Sequence, residues 1–259
     1  MRAKRKVRLS GIPIAEPAAD ALPARLGAVL AVLYLVFNEG YASSGGDALV
    51  RDDLAAEAIR LARVVHGLLP DEPEPAGLLA LMLQHSRRGA RVGEAGELVL
   101  LDQQDRTRWD AAAIAQALPL VDRALTLRRP PGPYALQAAI AAVHARAPHA
   151  ATTDWKQIAL LYAELAKVLA SPVVALNRAV AVAMADGPAA GLALVEALAR
   201  GGALDDYHLL HAARADLLRR QGRRAEAGAA YRRALELAGN ASEQRFLASR
   251  LAELERAAR

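Results

Sequence analysis

The sequence predicts an all-α protein, and composition is the first reason. Apolar residues make up 54% of the 259-residue chain, whereas aromatic residues make up only 4%. The apolar residues are therefore mostly Ala, Leu and Val. Ala and Leu are strong helix formers, and Ala is a poor strand former. Helical periodicity recurs along most of the chain, and residues 98–101 are the one short run that suits an extended conformation.

The clearest helical pattern, in residues 209–237, predicts two helices packed against each other. Gly222 separates them, because glycine takes the left-handed conformation at a helix end without steric cost. The second helix carries apolar residues at the spacing of one helical face, and these are Ala227, Tyr231, Ala234 and Leu235. We expect Leu218 and Tyr231 to fill the space between the two helices.

The same residues resemble a tetratricopeptide repeat (TPR), in which Gly222, Ala227, Tyr231 and Ala234 fall at the signature spacing. His211 and Arg214 stand where the repeat usually has bulky apolar residues. One helical hairpin cannot bury its own apolar face, so the resemblance implies at least three stacked units.

Further hairpins are predicted in residues 131–259, the TPR-like repeat domain of an α-solenoid. The predicted helix pairs are 133–147 with 154–169, 172–185 with 189–198, and 205–221 with 225–238. A terminal helix at 242–258 would cap the stack with its charged residues. The Pro-rich residues 128–133 indicate a boundary between two halves.

Residues 21–130 are predicted to form an N-terminal helical domain. The predicted helices cover residues 24–37, 52–69, 78–85 and 111–127. The first should stop at Asn38–Tyr41, residues 70–75 should form an acidic turn, and Pro119 should allow a bend. Asp110 is expected to cap the last helix of this domain.

Residues 1–20 form a basic segment followed by a Pro-containing linker. Its basic residues are Arg2, Lys4, Arg5, Lys6 and Arg8. The net charge of the chain is +5, so the remaining residues are neutral overall, and the high pI does not indicate a nucleic-acid-binding body.

The sequence also excludes several classes of site. The chain has no cysteine, which rules out disulfides, thiolate metal sites and a cysteine nucleophile. The longest apolar run, residues 26–37, is shorter than the ~20 residues that a transmembrane helix needs. No cleavable signal peptide follows the basic start. We therefore predict a cytoplasmic protein with no membrane partner and no cofactor.

A series of ordered strings carries a second resemblance. They are YLVFNEGY (34–41), AIRLARVV (58–65), PDEPEPAGLLALMLQHSRR (70–88), LVLLDQQDRTRWD (98–110), GPYALQAAIAAVHA (132–145), TDW (153–155), SPVVALNRAVAVA (171–183) and LHAARADLL (210–218). Together they resemble the C-terminal TPR-type extension of a subgroup of bacterial extracytoplasmic-function (ECF) RNA polymerase sigma factors. The basic run at residues 2–8 is similar to the end of the region 4 helix in these factors.

This resemblance implies a regulatory, protein-interacting domain of a transcription initiation factor and no enzymatic activity. The implied partners are sigma core regions 2 and 4 and the RNA polymerase core. Promoter DNA would be contacted only through the sigma regions that this sequence lacks. Two alternatives stay open: a free-standing TPR adapter with a peptide in its groove, and a helical enzyme.

Asn38, Glu39, Gly40 and Tyr41 form the first candidate site. They suit a helix stop, because Asn and Gly favour left-handed backbone geometry. They also suit a contact surface for the sigma core or polymerase.

Asp102, Asp105 and Asp110 surround Trp109 and form the second candidate. Two carboxylates near a tryptophan can raise one pKa and create a general acid, which is the enzyme alternative. The other interpretation is a solvated loop whose Asp and Arg residues pair locally and which is anchored by the tryptophan. No His or Glu stands at ligand spacing, so no metal is expected.

The remaining candidates lie in the second half of the chain. Asp154 and Trp155 belong to the string TDW. Asn177 and Arg178 would line the concave groove of a repeat, or Asn177 would be buried and bonded to a neighbouring loop. The histidines form no HExxH-type arrangement.

Overall fold

The computed structural model describes residues 18, 21–41, 52–85, 90, 98–101 and 103–256. Over these residues the chain is all-α, with eleven α-helices, two short 3-10 helices and no β-strand element, which confirms the predicted fold class. The helices are α1 (Leu22–Tyr41), α2 (Asp52–Leu68), α3 (Pro73–Gln84), α4 (Ala111–Thr126), α5 (Pro133–Arg146), α6 (Trp155–Val168), α7 (Pro172–Asp186), α8 (Pro188–Arg200), α9 (His208–Arg220), α10 (Arg224–Leu237) and α11 (Ala241–Arg256).

Local sequence sets many of the helix starts. Four helices, α3, α5, α7 and α8, begin at a proline, whose fixed φ and missing N–H suit the first helical position. Asp110 and Asp154 begin two others: their carboxylates accept hydrogen bonds from the backbone N–H groups of Ala113 and Gln157, each at 2.9 Å. The predicted cap at Asp110 is therefore confirmed.

Helix α3 is the centre of the first half. Almost every one of its residues is buried, because its sequence is apolar around the whole helix and can be covered on all sides. It packs against α1, α2, α4 and α5. Gly77 of α3 lies so close to the backbone of Ala135 in α5 that a Cβ would collide with it.

In the second half each helix from α6 to α11 packs chiefly on its neighbours in sequence, whereas α5 packs most closely on α3. The α9–α10 pair has the predicted interior: Leu218 and Tyr231 are buried in one cluster, and Gly222 between the helices has a φ of 75°. Close approach also joins α7 to α8, where a Cβ on Gly191 would collide with Ala183.

Two helix boundaries differ from the sequence prediction. Helix α1 continues to Tyr41, four residues past the predicted helix end at residue 37, so residues 38–41 are the last described turn of the helix. Helix α3 begins at Pro73, five residues before the predicted residue 78, because the first of its prolines can start a helix. Helix α4 is continuous through Pro119.

Helix α5 connects the two halves. Ala138, Ala139 and Ala142 belong to the core of the first half, whereas Leu136 and Ile140 pack with residues of α6 and α7. The predicted boundary at residues 128–133 thus precedes a helix that packs on both sides, and the division into domains stays a prediction. None of the helices described is both long and apolar enough to cross a membrane.

Candidate functional site

The segment between Asp105 and Asp110 is held by its own carboxylates. Asp105 accepts hydrogen bonds from the backbone N–H of Thr107 at 2.9 Å and from its hydroxyl at 2.7 Å. Asp110 caps α4 through the N–H of Ala113. Asp102 lies outside the described residues. Both described carboxylates therefore serve as local caps.

Arg106 anchors this segment to the C-terminal end of α5. Its guanidinium lies 4.6 Å from the ring centroid of Trp109, which is buried. The same group donates hydrogen bonds to the carbonyl oxygens of His144, at 2.8 Å, and Ala147. The last carbonyls of a helix lack intrahelical partners and carry partial negative charge, so a cation is favourable there.

A second tryptophan reaches the same helix end. The ring of Trp155, the first residue of α6, meets the buried ring of His144 edge-on, with 5.1 Å between centroids. Asp154 caps the helix that carries it. Two strings that lie far apart in the sequence thus converge on the end of α5. The sequence did not identify His144 as the residue that both segments contact, because no local pattern shows which residue two distant parts of the chain share.

The pKa of Asp105 does not suit a general acid. The hydrogen bonds from Thr107 hold the pKa of Asp105 below its ordinary value, whereas a general acid needs a raised one. Asp105 is therefore not the carboxylate of raised pKa that the enzyme alternative requires. Burial lowers the pKa of Arg106.

An open cleft of about 340 Å³ lies beside the junction, and its walls are mostly apolar, with Trp109, Ile114, Leu118 and Pro148 among them. Among the residues described, no group of three His, Cys, Asp or Glu side chains is placed to hold a metal ion. The contacts of the junction link the start of α4, the end of α5 and the start of α6.

The other candidates lie on α1 and α7 or outside the described residues. Asn38 is half-buried and Glu39 is exposed on the last described turn of α1, while the burial of Gly40 and Tyr41 falls outside the described part. Arg2, Lys4, Arg5, Lys6 and Arg8 also fall outside it.

Asn177 and Arg178 are both exposed on α7, so the alternative of a buried Asn177 is wrong. Val180 and Met184 extend this exposed surface along α7, and Arg220 of α9 reaches the sulfur of Met184 at 3.5 Å. The two helices therefore contribute to one surface.

Glu74 makes a contact between helices that the sequence did not predict. From the first turn of α3 its carboxylate accepts hydrogen bonds from the backbone N–H groups of Tyr134 and Ala135, each at 3.0 Å, and so caps α5. Gly132 lies beside it, and a Cβ there would lie 2.5 Å from the carboxyl carbon, so a side chain at this position would displace the carboxylate. Burial raises the pKa of Glu74 although the backbone hydrogen bonds act in the opposite direction.

This raised pKa predicts a pH-dependent stability. The native state binds a proton on Glu74 at pH values where the unfolded chain, with a pKa near the ordinary 4.5, does not. The wild type should therefore gain stability relative to Glu74→Gln as pH falls from 7 toward 4.5, and the difference should level off below that pH. Urea unfolding of both proteins across this range measures the difference. A constant difference, or one that favours the variant at lower pH, would contradict the assignment.

Two comparisons relate the chain to known proteins. Residues 25–125, from α1 nearly to the end of α4, match the family described as "Family of unknown function (DUF6596)". The uncharacterized protein R00370 of Rhizobium meliloti (strain 1021) is 49% identical over 254 residues, which are 98% of this chain and 59% of that protein. The chain thus spans about three fifths of the length of this relative. No solved structure matches the chain.

Proposed function

We propose that the chain is a non-catalytic regulatory region of an ECF sigma factor, and that it acts by packing against the sigma core or the polymerase. The observation that carries the proposal is the ordered series of strings between residues 34 and 218. Sigma core regions 2 and 4 are the proposed partners.

The positions of these strings support a shared fold. Glu74 and Gly132 form one inter-helix cap, and Arg106, Trp109 and Trp155 meet at the end of α5. Residues that hold helices in fixed relative positions specify an architecture. A resemblance carried by such residues is therefore evidence for the same arrangement of helices.

The packing of the second half supports the TPR-like part of the proposal. Helices α5 to α11 contact their sequence neighbours, as expected for stacked hairpins. Ala215, Ala227 and Ala234 are fully buried where α9 and α10 approach. We propose that these helices form an α-solenoid, whose extended surface suits a protein partner.

The length of the Rhizobium relative is compatible with this role. It extends beyond the matched region by about two fifths of its own length, because the match covers 59% of it. A further domain fits into that remainder, and the proposal assigns the sigma core to it.

Run-off transcription tests the proposal. A full-length factor that carries this region is compared with the same factor after deletion of residues 21–259. We expect the transcript yield from a cognate promoter to change at least tenfold, because the region would control the sigma core. An unchanged yield, with both proteins folded and bound to polymerase, would refute the regulatory role.

A peptide-binding adapter is the second candidate, favoured by the exposed surface of Asn177, Arg178, Val180 and Met184. Affinity capture with the whole chain separates the two functions. Retention of sigma core or polymerase subunits supports the first, and retention of unrelated proteins that Arg178→Glu abolishes supports the second.

A further inference from the structure

Helix α1 presents apolar side chains on two opposite faces. Its inward face is buried through Leu30, Leu33 and Phe37. On the outward face Val32 and Leu35 are 58% and 67% exposed, respectively, and Ala28 is exposed as well. Single exposed apolar residues are ordinary, but a continuous row along a surface helix is typical of an interaction site.

The outward face has the spacing of a two-helix interface. Arg25, Ala28, Val32, Leu35 and Glu39 follow one another at alternating intervals of three and four residues, which is the repeat that aligns one face of a helix with a partner helix. The centre of this row is apolar. Its two ends carry opposite charges, and Arg25 and Glu39 are both exposed.

The charges are placed symmetrically about Val32. Arg25 precedes it by seven residues and Glu39 follows it by seven residues. At 1.5 Å per residue, each charge lies about 10 Å along the helix from Val32. A two-fold axis at Val32 therefore brings each Arg25 opposite the Glu39 of a second copy.

We propose that a second copy of this chain packs on the outward face of α1, with the two α1 helices antiparallel and crossing at Val32. A rotation of 180° places this face against the same face of the second copy with apolar residues and opposite charges in contact, as a two-fold interface requires. A parallel pair would instead place Arg25 against Arg25 and Glu39 against Glu39. The apolar row supplies the driving force, and the exposed ion pairs mainly select the orientation, because such pairs contribute little affinity.

Sedimentation equilibrium of the whole chain tests the apolar part. We expect a reversible dimer whose dissociation constant rises at least tenfold in Val32→Glu and in Leu35→Glu. Leu160→Glu on α6 is the matched control, because Leu160 is 69% exposed and lies outside the proposed interface. Circular dichroism establishes that each variant keeps its helices. A monomer at all concentrations, or a dimer unaffected by both interface variants, would overturn the proposal.

Charge reversal tests the orientation. In Arg25→Glu two glutamates oppose each other at both ends of the interface, and in Glu39→Arg two arginines do so. Each single variant should therefore dimerise more weakly than the wild type. An equimolar mixture should restore dimers, since every facing pair is then of opposite charge, and the double variant should also dimerise. Failure of both the mixture and the double variant to recover dimers would refute the charge pairing.

Cross-linking places the two-fold axis. The chain contains no cysteine, so Val32→Cys introduces a single thiol. A short bis-maleimide should link Val32→Cys chains into covalent dimers and leave Leu160→Cys chains monomeric. Equal yields from the two variants would exclude Val32 as the crossing point.

Discussion

Replacing Gly77 with alanine is expected to destabilise the chain by about 2–3 kcal/mol, although alanine is the better helix former. A Cβ at this position would collide with the backbone nitrogen and Cα of Ala135 and lie 2.9 Å from the carbonyl carbon of Tyr134. Backbone atoms cannot rotate away as a flexible side chain can. Separating α3 from α5 would also pull Glu74 from the N–H groups that it caps.

The same substitution at Gly27 is the control. Gly27 lies inside α1, and a Cβ there would meet no atom within 4 Å. Gly27→Ala should therefore stabilise the chain by about 0.5–1 kcal/mol, because alanine loses less backbone entropy in a helix than glycine does. Urea unfolding measures both variants. If Gly77→Ala were as stable as Gly27→Ala, the close approach of α3 and α5 would be wrong.

Replacing Phe37 with alanine is expected to cost about 3–5 kcal/mol, the usual range for removing a buried aromatic ring. Phe37 is 1% exposed and belongs to the core formed with α2 and α3. Its ring centroid lies 6.1 Å from that of His85, just after the end of α3. The cavity left by the ring is enclosed by helices that cannot collapse into it without moving the central helix.

Leu35, two residues earlier on the same helix, provides the comparison because it is 67% exposed. Leu35→Ala should change the free energy of unfolding by less than about 0.5 kcal/mol at concentrations where the chain is monomeric. Denaturant unfolding monitored by circular dichroism gives both values. Similar losses for the two variants would mean that the buried and exposed faces of α1 are assigned incorrectly.

Both predictions concern helices that meet around α3, and α5, which packs on α3, is the element on which contacts from three distant residues converge. Glu74 caps its first turn, and Arg106 and Trp155 contact its last turn. The two ends of α5 are therefore fixed by residues that lie outside its own sequence. Any partner that moves these residues would change the position of α5 and, through it, the packing of the two halves.

The sequence alone determined the helical class and the interior of one hairpin. Ala and Leu content predicted helices, and the 3.6-residue period from Ala227 to Leu235 identified the face that α10 buries. The cap at Asp110 was also predictable, because the Asp110 carboxylate accepts its hydrogen bond from a backbone N–H only three residues away. These features depend on neighbours in sequence, which a linear pattern contains.

Tertiary structure alone decided the contacts between distant segments. Glu74 accepts a hydrogen bond from a backbone N–H 60 residues away. Arg106 donates hydrogen bonds to the carbonyl groups of His144 and Ala147, which are 38 and 41 residues away. The start of α3 at Pro73, which places Glu74 in a helix instead of a turn, was likewise missed. The physical reason is that a helix end offers the same unpaired N–H or C=O groups whatever its sequence. Which side chain satisfies them depends on how the helices pack.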